Sequence, residues 1–200
     1  MKFILGKKLE MSQVYGPDGN IIPVTLVQAG PCYVTKINTA ETDGYLAVQL
    51  GFLPGKNLTK AEAGHLKDLP ALRHLCEFRV DETPTLKRGD VIEAALFAPG
   101  DVVQVSGMSK GKGFQGVVRR HHFHGHPTTH GHKDQARMPG SIGAGGVQHV
   151  MKGRRMAGQM GDDRVTVKNL KVVEIRDNGV IAIKGAIPGP RNAVIEIISA

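Results

Sequence analysis

The sequence has no tryptophan, only three tyrosines and six phenylalanines, and two cysteines in 200 residues. Each shortage excludes something. Cys32 and Cys76 are far apart, each in an apolar setting and outside any CxxC spacing, so neither a disulfide framework nor a thiolate metal site is expected. Two reduced core thiols in a reducing cytosol fit best. No stretch approaches the roughly 18 apolar residues of a membrane span. The opening "MKFILGKKLEMSQ" has only a short apolar run before Gly6, too short for a signal segment, and we expect a soluble chain with no membrane partner.

A second set of absences is local. Residues 104–161 contain a single acid, Asp134, and a single Ile or Leu, Ile142. Against that one acid stand Lys110, Lys112, Arg119, Arg120, Lys133, Arg137, Lys152, Arg154 and Arg155, which leaves this segment at +8. The whole chain is also +8, so the remainder is neutral. The segment further holds 13 of the 26 glycines and seven of the nine histidines. It cannot build a core of its own, and a strongly cationic stretch of this kind calls for an anionic partner.

Outside the segment the sequence is strand-like. "GPDGN" (16–20) reads as a turn leading into "IIPVTLVQAG", and "PCYVTKIN" follows Gly30, so a hairpin of these two runs is expected. "TDGYLAVQLGF" offers a turn at Asp43-Gly44 and an apolar run broken at Gly51. "LTKAEAGHLKDL" (58–69) is the one convincing helix, with Thr59 as N-cap and Glu62 completing a capping box. Asp177-Asn178-Gly179 signals a turn between two β-branched runs. Strands on both sides of the basic segment predict a mainly β fold: one antiparallel barrel, 1–104 plus 161–200, interrupted by an extended, mostly irregular arm, 105–160, with a short helical segment elsewhere. About 20 residues out and 20 back would span at most roughly 60 Å.

Several motifs in the arm invite other readings. "GKGFQG" (111–116) satisfies G-x-G-x-x-G, but the following "VVRRHHFHGHP" gives no expectation of the helix a dinucleotide site needs. "GMSKGKG" (107–113) is one residue short of a phosphate-binding loop and lacks its Ser or Thr. His121, His122, His124, His126, His130 and His132 have the density of a metal tract, yet no Cys and only one carboxylate lies within reach. No cofactor and no native metal are expected.

Nucleic acid fits the residue mixture better. Arg and Lys neutralise phosphates, glycines let the backbone approach them, and Phe114, Phe123, His and the Arg plane stack on unpaired bases. Folded RNA is favoured over duplex DNA because nothing supplies a groove-sized recognition helix. The candidate RNA contacts are Lys110, Lys112, Phe114, Arg119, Arg120, the six histidines from His121 to His132, Lys133, Arg137, Gln148, Lys152, Arg154, Arg155 and Gln159. Lys7, Lys8, Lys168, Lys171 and Arg191 read either as solvated charges or as contacts on the barrel.

These residues carry a resemblance. "ILGKKLEMSQVY", "IPVTLVQAGPC", "LKRGD", "GDVVQVSGMSKGKGFQGVVRRHHF", "THGHKDQARMPGSIG", "GRRMAGQMGDDRVTVKNLKVVEI" and "GAIPGPRNAVIEI" run in the order found in the bacterial family of the third protein of the large ribosomal subunit. The resemblance covers almost the whole chain. It implies a translation-protein-type β-barrel that binds large-subunit (23S) rRNA near its 3′ end early in assembly, beside neighbouring subunit proteins. It also implies a cytoplasmic, ribosome-bound, non-enzymatic protein that forms no homo-oligomer. The arm would run toward the peptidyl transferase centre, with Gly131 to Arg155 distal and with Lys110 to Arg120 and Arg155 to Gln159 at its base.

The sequence departs from the family in three places. Glu10 and Ser12 stand where the family's opening pattern has Gly and Thr. Gln148 is the only glutamine near the position methylated in some members, among Ala144 and Gly145, and the modification is not carried over. The histidine cluster is richer than usual. Imidazoles ordinarily gain charge as pH falls from about 7.5 to 6, so RNA affinity is expected to rise over that range. A flat pH profile with an unchanged RNA fold would contradict this.

Overall fold

A computed structural model of the protein describes residues 2–82, 85–176 and 178–199. Its strands are β1 (Phe3–Tyr15), β2 (Ile21–Ala29), β3 (Cys32–Asn38), β4 (Ala47–Pro54), β5 (Leu72–Arg79), β6 (Val91–Ile92), β7 (Val102–Met108), β8 (Phe114–Gln115), β9 (Gly158–Gln159), β10 (Arg164–Arg176), β11 (Val180–Lys184) and β12 (Val194–Ser199). Three short helices join them: α1 (Ala40–Asp43), α2 (Lys60–His65) and α3 (Val117–His121). The chain divides into two compact units, 1–108 with 164–200, and 109–163.

The first unit is mainly β, as its sequence predicts. Six antiparallel strands close a barrel in the order β1-β12-β7-β10-β11-β2, so strands from both sides of the basic segment complete one wall-to-wall ladder. Alternation explains the packing. Ile195 and Ile197 of β12 are buried and Glu196 between them is not, because successive side chains point to opposite faces. They meet Val103 and Val105 of β7, Ile4 of β1 and Ile181 and Ile183 of β11 in one core. A four-stranded sheet, β5-β4-β3-β6, shares that core through Phe78, whose ring stacks on Phe3 at 4.8 Å.

Three local expectations change. The turn at 16–20 joins β1 to β2, where Tyr15 faces Ile21, and β2 does not pair with β3. After Ala29 the chain turns at Gly30 (φ 66°); β2 stays in the barrel and β3 enters the second sheet. Gly51 does not break its strand: β4 runs through it, paired with Tyr33 and Leu75. Glycine stands there because a Cβ would lie 2.3 Å from Leu72 Cδ1. Finally, a helix does follow "GKGFQG": Gly116 caps α3, and the Arg120 amide donates to Gly116 O at 2.9 Å. The β-branched cost of Val117 and Val118 is small, and Val117 recovers it by being buried.

Other local signals hold. Glu62 N donates to Thr59 Oγ1 at 3.3 Å and Thr59 N to Glu62 Oε2 at 2.8 Å, the reciprocal capping box, although α2 ends at His65. β10 and β11 pair antiparallel across a turn in which Gly179 has φ 72°; Asp177 of the expected turn lies outside the described residues. Both cysteines are free thiols. Burial pushes Cys32 up to about 11, and burial followed by the neighbouring Glu196 carboxylate pushes Cys76 up to about 12. Cys32 is fully buried, whereas Cys76 is only half-buried.

Candidate nucleic-acid interface

The unit 109–163 is organised by backbone hydrogen bonds rather than by a core. Its two ends run antiparallel: Ser109 N donates to Asp163 O (2.9 Å), Lys112 N to Met160 O (2.8 Å) and Met160 N to Gly113 O (3.0 Å), and Phe114 then faces Gln159 in the β8–β9 pair. Gly161 makes the close approach that this ribbon requires. It has φ 74°, and a Cβ there would sit 2.2 Å from Lys110 O. A β-branched residue at such a φ costs roughly 1–2 kcal/mol. Gly161→Val is therefore expected to open the ribbon, raising amide exchange at Lys112 and Met160 about 5- to 30-fold while the barrel amides stay as they were.

The predicted contact residues separate into two groups. Arg120 and His121 of α3 are half-buried and turned inward: Arg120 Nη1 donates to Met156 O at 2.8 Å, and His121 Nε2 lies 3.1 Å from the same oxygen. They tie α3 to the returning chain. Arg154 likewise donates to Ser141 O. His126 and His132 stack on each other at 5.3 Å, and the Phe123 ring is half-buried beside His121 at 6.2 Å.

The second group faces solvent. Lys110, Lys112, Phe114, Arg119, His122, His124, His130, Lys133, Arg137, Gln148, Lys152, Arg155 and Gln159 are all exposed. His122 closes α3 in the left-handed region (φ 60°), and Lys133 opens a 3-10 turn over 133–135. Among the described residues no three His, Cys, Asp or Glu side chains gather to hold a metal. The spread of nine cations against three carboxylates, Asp134, Asp162 and Asp163, suits a polyanion contacted at many points.

Sequence reasoning missed Gln115. Its amide donates to Lys112 O, and its Oε1 accepts from Arg119 Nη1 at 3.1 Å, bracing the ribbon against α3. Its partners stand three residues before and four after it, but no cap or turn motif in the sequence marks that pairing. The cations of the first unit divide similarly. The Lys8 ammonium donates to Ile187 O and Gly189 O, both at 2.8 Å, and Arg191 pairs with Glu10 at 2.6 Å, so the unusual Glu10 meets a charge of its own. Lys168 and Lys171 are exposed and Lys7 is half-buried.

Comparison with known sequences agrees with the motifs. Residues 79–180 match the sequence model of the family described as Ribosomal protein L3. The chain is 50% identical to large ribosomal subunit protein uL3 of Roseiflexus sp. (strain RS-1), covering 97% of this chain and 95% of that protein. It is 48% identical to uL3 of Synechococcus sp. (strain JA-2-3B'a(2-13)), covering 98% and 95%, and 45% identical to uL3c of Guillardia theta, covering 97% and 98%. With likeness at this level from end to end, the chain belongs to the ribosomal protein L3 family.

Proposed function

We propose that the chain is a structural constituent of the large ribosomal subunit. It binds the large-subunit (23S) rRNA near its 3′ end, joins assembly early, and sends residues 105–160 toward the peptidyl transferase centre. The globular part, 1–104 with 161–200, docks on the subunit among neighbouring proteins. The chain supplies no catalytic group and needs no cofactor. It works as a single copy in the cytoplasm, within the ribosome.

The observation that carries this reading is the exposed charge of the 109–163 unit. Across 109–163 nine Lys and Arg stand against three acids, Asp134, Asp162 and Asp163, and most of the nine are exposed. Each phosphate neutralised releases condensed counterions, so affinity accrues contact by contact and falls steeply with salt. The relatives' names place them in the large subunit. Among the described residues no helix is long and apolar enough to cross a membrane.

The test is binding of the intact chain to an RNA fragment spanning the 3′ region of large-subunit rRNA, with an unrelated folded RNA of equal length as competitor. We expect the 3′ fragment to be preferred. Equal affinity for both RNAs would reduce the proposal to unspecific polyanion binding.

A further inference from the structure

We infer that Phe114 is a stacking platform for one unpaired RNA base, with the Gln159 amide at that base's edge; this rests on the RNA-binding reading above. Phe114 is 76% exposed, more than any other large hydrophobic side chain among the described residues. It is not loose. The ribbon fixes its backbone through the Lys112–Met160 and Met160–Gly113 hydrogen bonds, and Gln115 braces the next residue against Lys112 and Arg119. A rigid strand that holds an aromatic ring in water presents a preformed surface at little ordering cost.

The surroundings point to a nucleobase. Phe114 and Gln159 are directly opposite in the β8–β9 pair, so their side chains share one face with Cβ atoms about 5 Å apart. The glycines on either side, Gly113 and Gly116, have nothing within 4 Å of where a Cβ would stand, leaving open space around the ring. Lys110, Lys112 and Arg119 are exposed on the adjoining residues and suit the phosphates flanking such a base. Asp163 lies at the other end of the ribbon, opposite Ser109, and Asp162 lies beside Gly111, three residues before the ring. The neutral Gln159 amide offers one donor group and one acceptor, which allows a hydrogen bond to the edge of any base. Phe123 has none of this freedom, being half-buried beside His121.

The test uses the full chain and the 3′-region rRNA fragment. Because the protein has no tryptophan, Phe114→Trp places a single indole emitter at the platform. Its fluorescence should be quenched on binding, with affinity kept. Phe114→Ala should weaken binding roughly 5- to 100-fold while the log-log salt slope stays unchanged, since stacking rather than phosphate contact is lost. The ring is exposed, so folding should not confuse the result, and an unchanged far-UV spectrum checks this. If Phe114→Ala binds like the parent, or the indole emission ignores the RNA, the platform is refuted while RNA binding stands. If Phe114→Ala keeps RNA affinity but loses large subunits, the ring covers a protein and the platform is again refuted. If the parent binds this RNA no better than an unrelated folded RNA, the RNA-binding reading fails and the platform fails with it.

Discussion

Replacing residues 120–158 with a short glycine linker is expected to flatten the dependence of RNA affinity on salt by about 4 to 5 units on a log-log plot. The estimate takes about six phosphate contacts at roughly 0.7 to 0.9 units each. The count takes every Lys and Arg of the deleted stretch, Arg120, Lys133, Arg137, Lys152, Arg154 and Arg155, including Arg120 and Arg154, which also donate to Met156 O and Ser141 O. A slope of this size corresponds to orders of magnitude in affinity between low and physiological salt, so the deletion should cost most at low salt, where counterion release is worth most. The barrel should survive, because every strand of its closed ladder lies outside 120–158. If both chains bind alike with one slope, the barrel and the retained base of the arm hold this RNA without residues 120–158.

Ile197→Ala should have the largest effect on stability. Ile197 is 0% exposed, and β12 places it between the facing strands, opposite Ile4 of β1 and Val105 of β7. Its neighbours are held by ladders on both sides and cannot collapse into the space left behind. The cost is then about 2–5 kcal/mol, or a fall in Tm of roughly 4–20 °C for a chain of this size. Thermal unfolding measures it directly. Ile142→Ala is the matched control: the same side chain is lost at a site 43% exposed, where the change should stay within about 0.5 kcal/mol. Equal shifts for both would mean that the barrel core is not what sets the melting temperature.

What was legible in the sequence was local. Thr59 and Glu62 three residues apart specify their own capping box, and "GPDGN" specifies a turn, because both ends of each interaction lie within one window. The partner of a strand is not local. Nothing in "IIPVTLVQAG" or "PCYVTKIN" says that the first closes a barrel and the second crosses to another sheet; that follows from Ile92 and Val91 pairing with β3 more than fifty residues on. Gly51 looked like an interruption because the Leu72 side chain that demands it is supplied by a different strand.

The site divides along the same line. Charge is a property of composition, so the cationic segment was visible at once. Orientation was not: Arg120 and His121 carry the same letters as a phosphate contact, and only the return of the chain at Met156 turns them inward. Phe114 and Phe123 are alike in the sequence, yet the first is exposed and the second half-buried beside His121. The helix α3 is not signalled by "VVRRHHFHGHP", where two β-branched residues come before a Gly and a Pro, yet one buried valine and a left-handed His122 suffice to close a single turn.

The measurement that tests the central claim most directly is sedimentation of the tagged, intact chain through a density gradient after expression in a bacterial cell, followed by a high-salt wash. The account predicts that it travels with large subunits and with their early precursors, stays bound through the wash when 120–158 is present, and is stripped more readily when that stretch is replaced. A chain that remains at the top of the gradient with ribosomes intact would contradict a place in the large subunit.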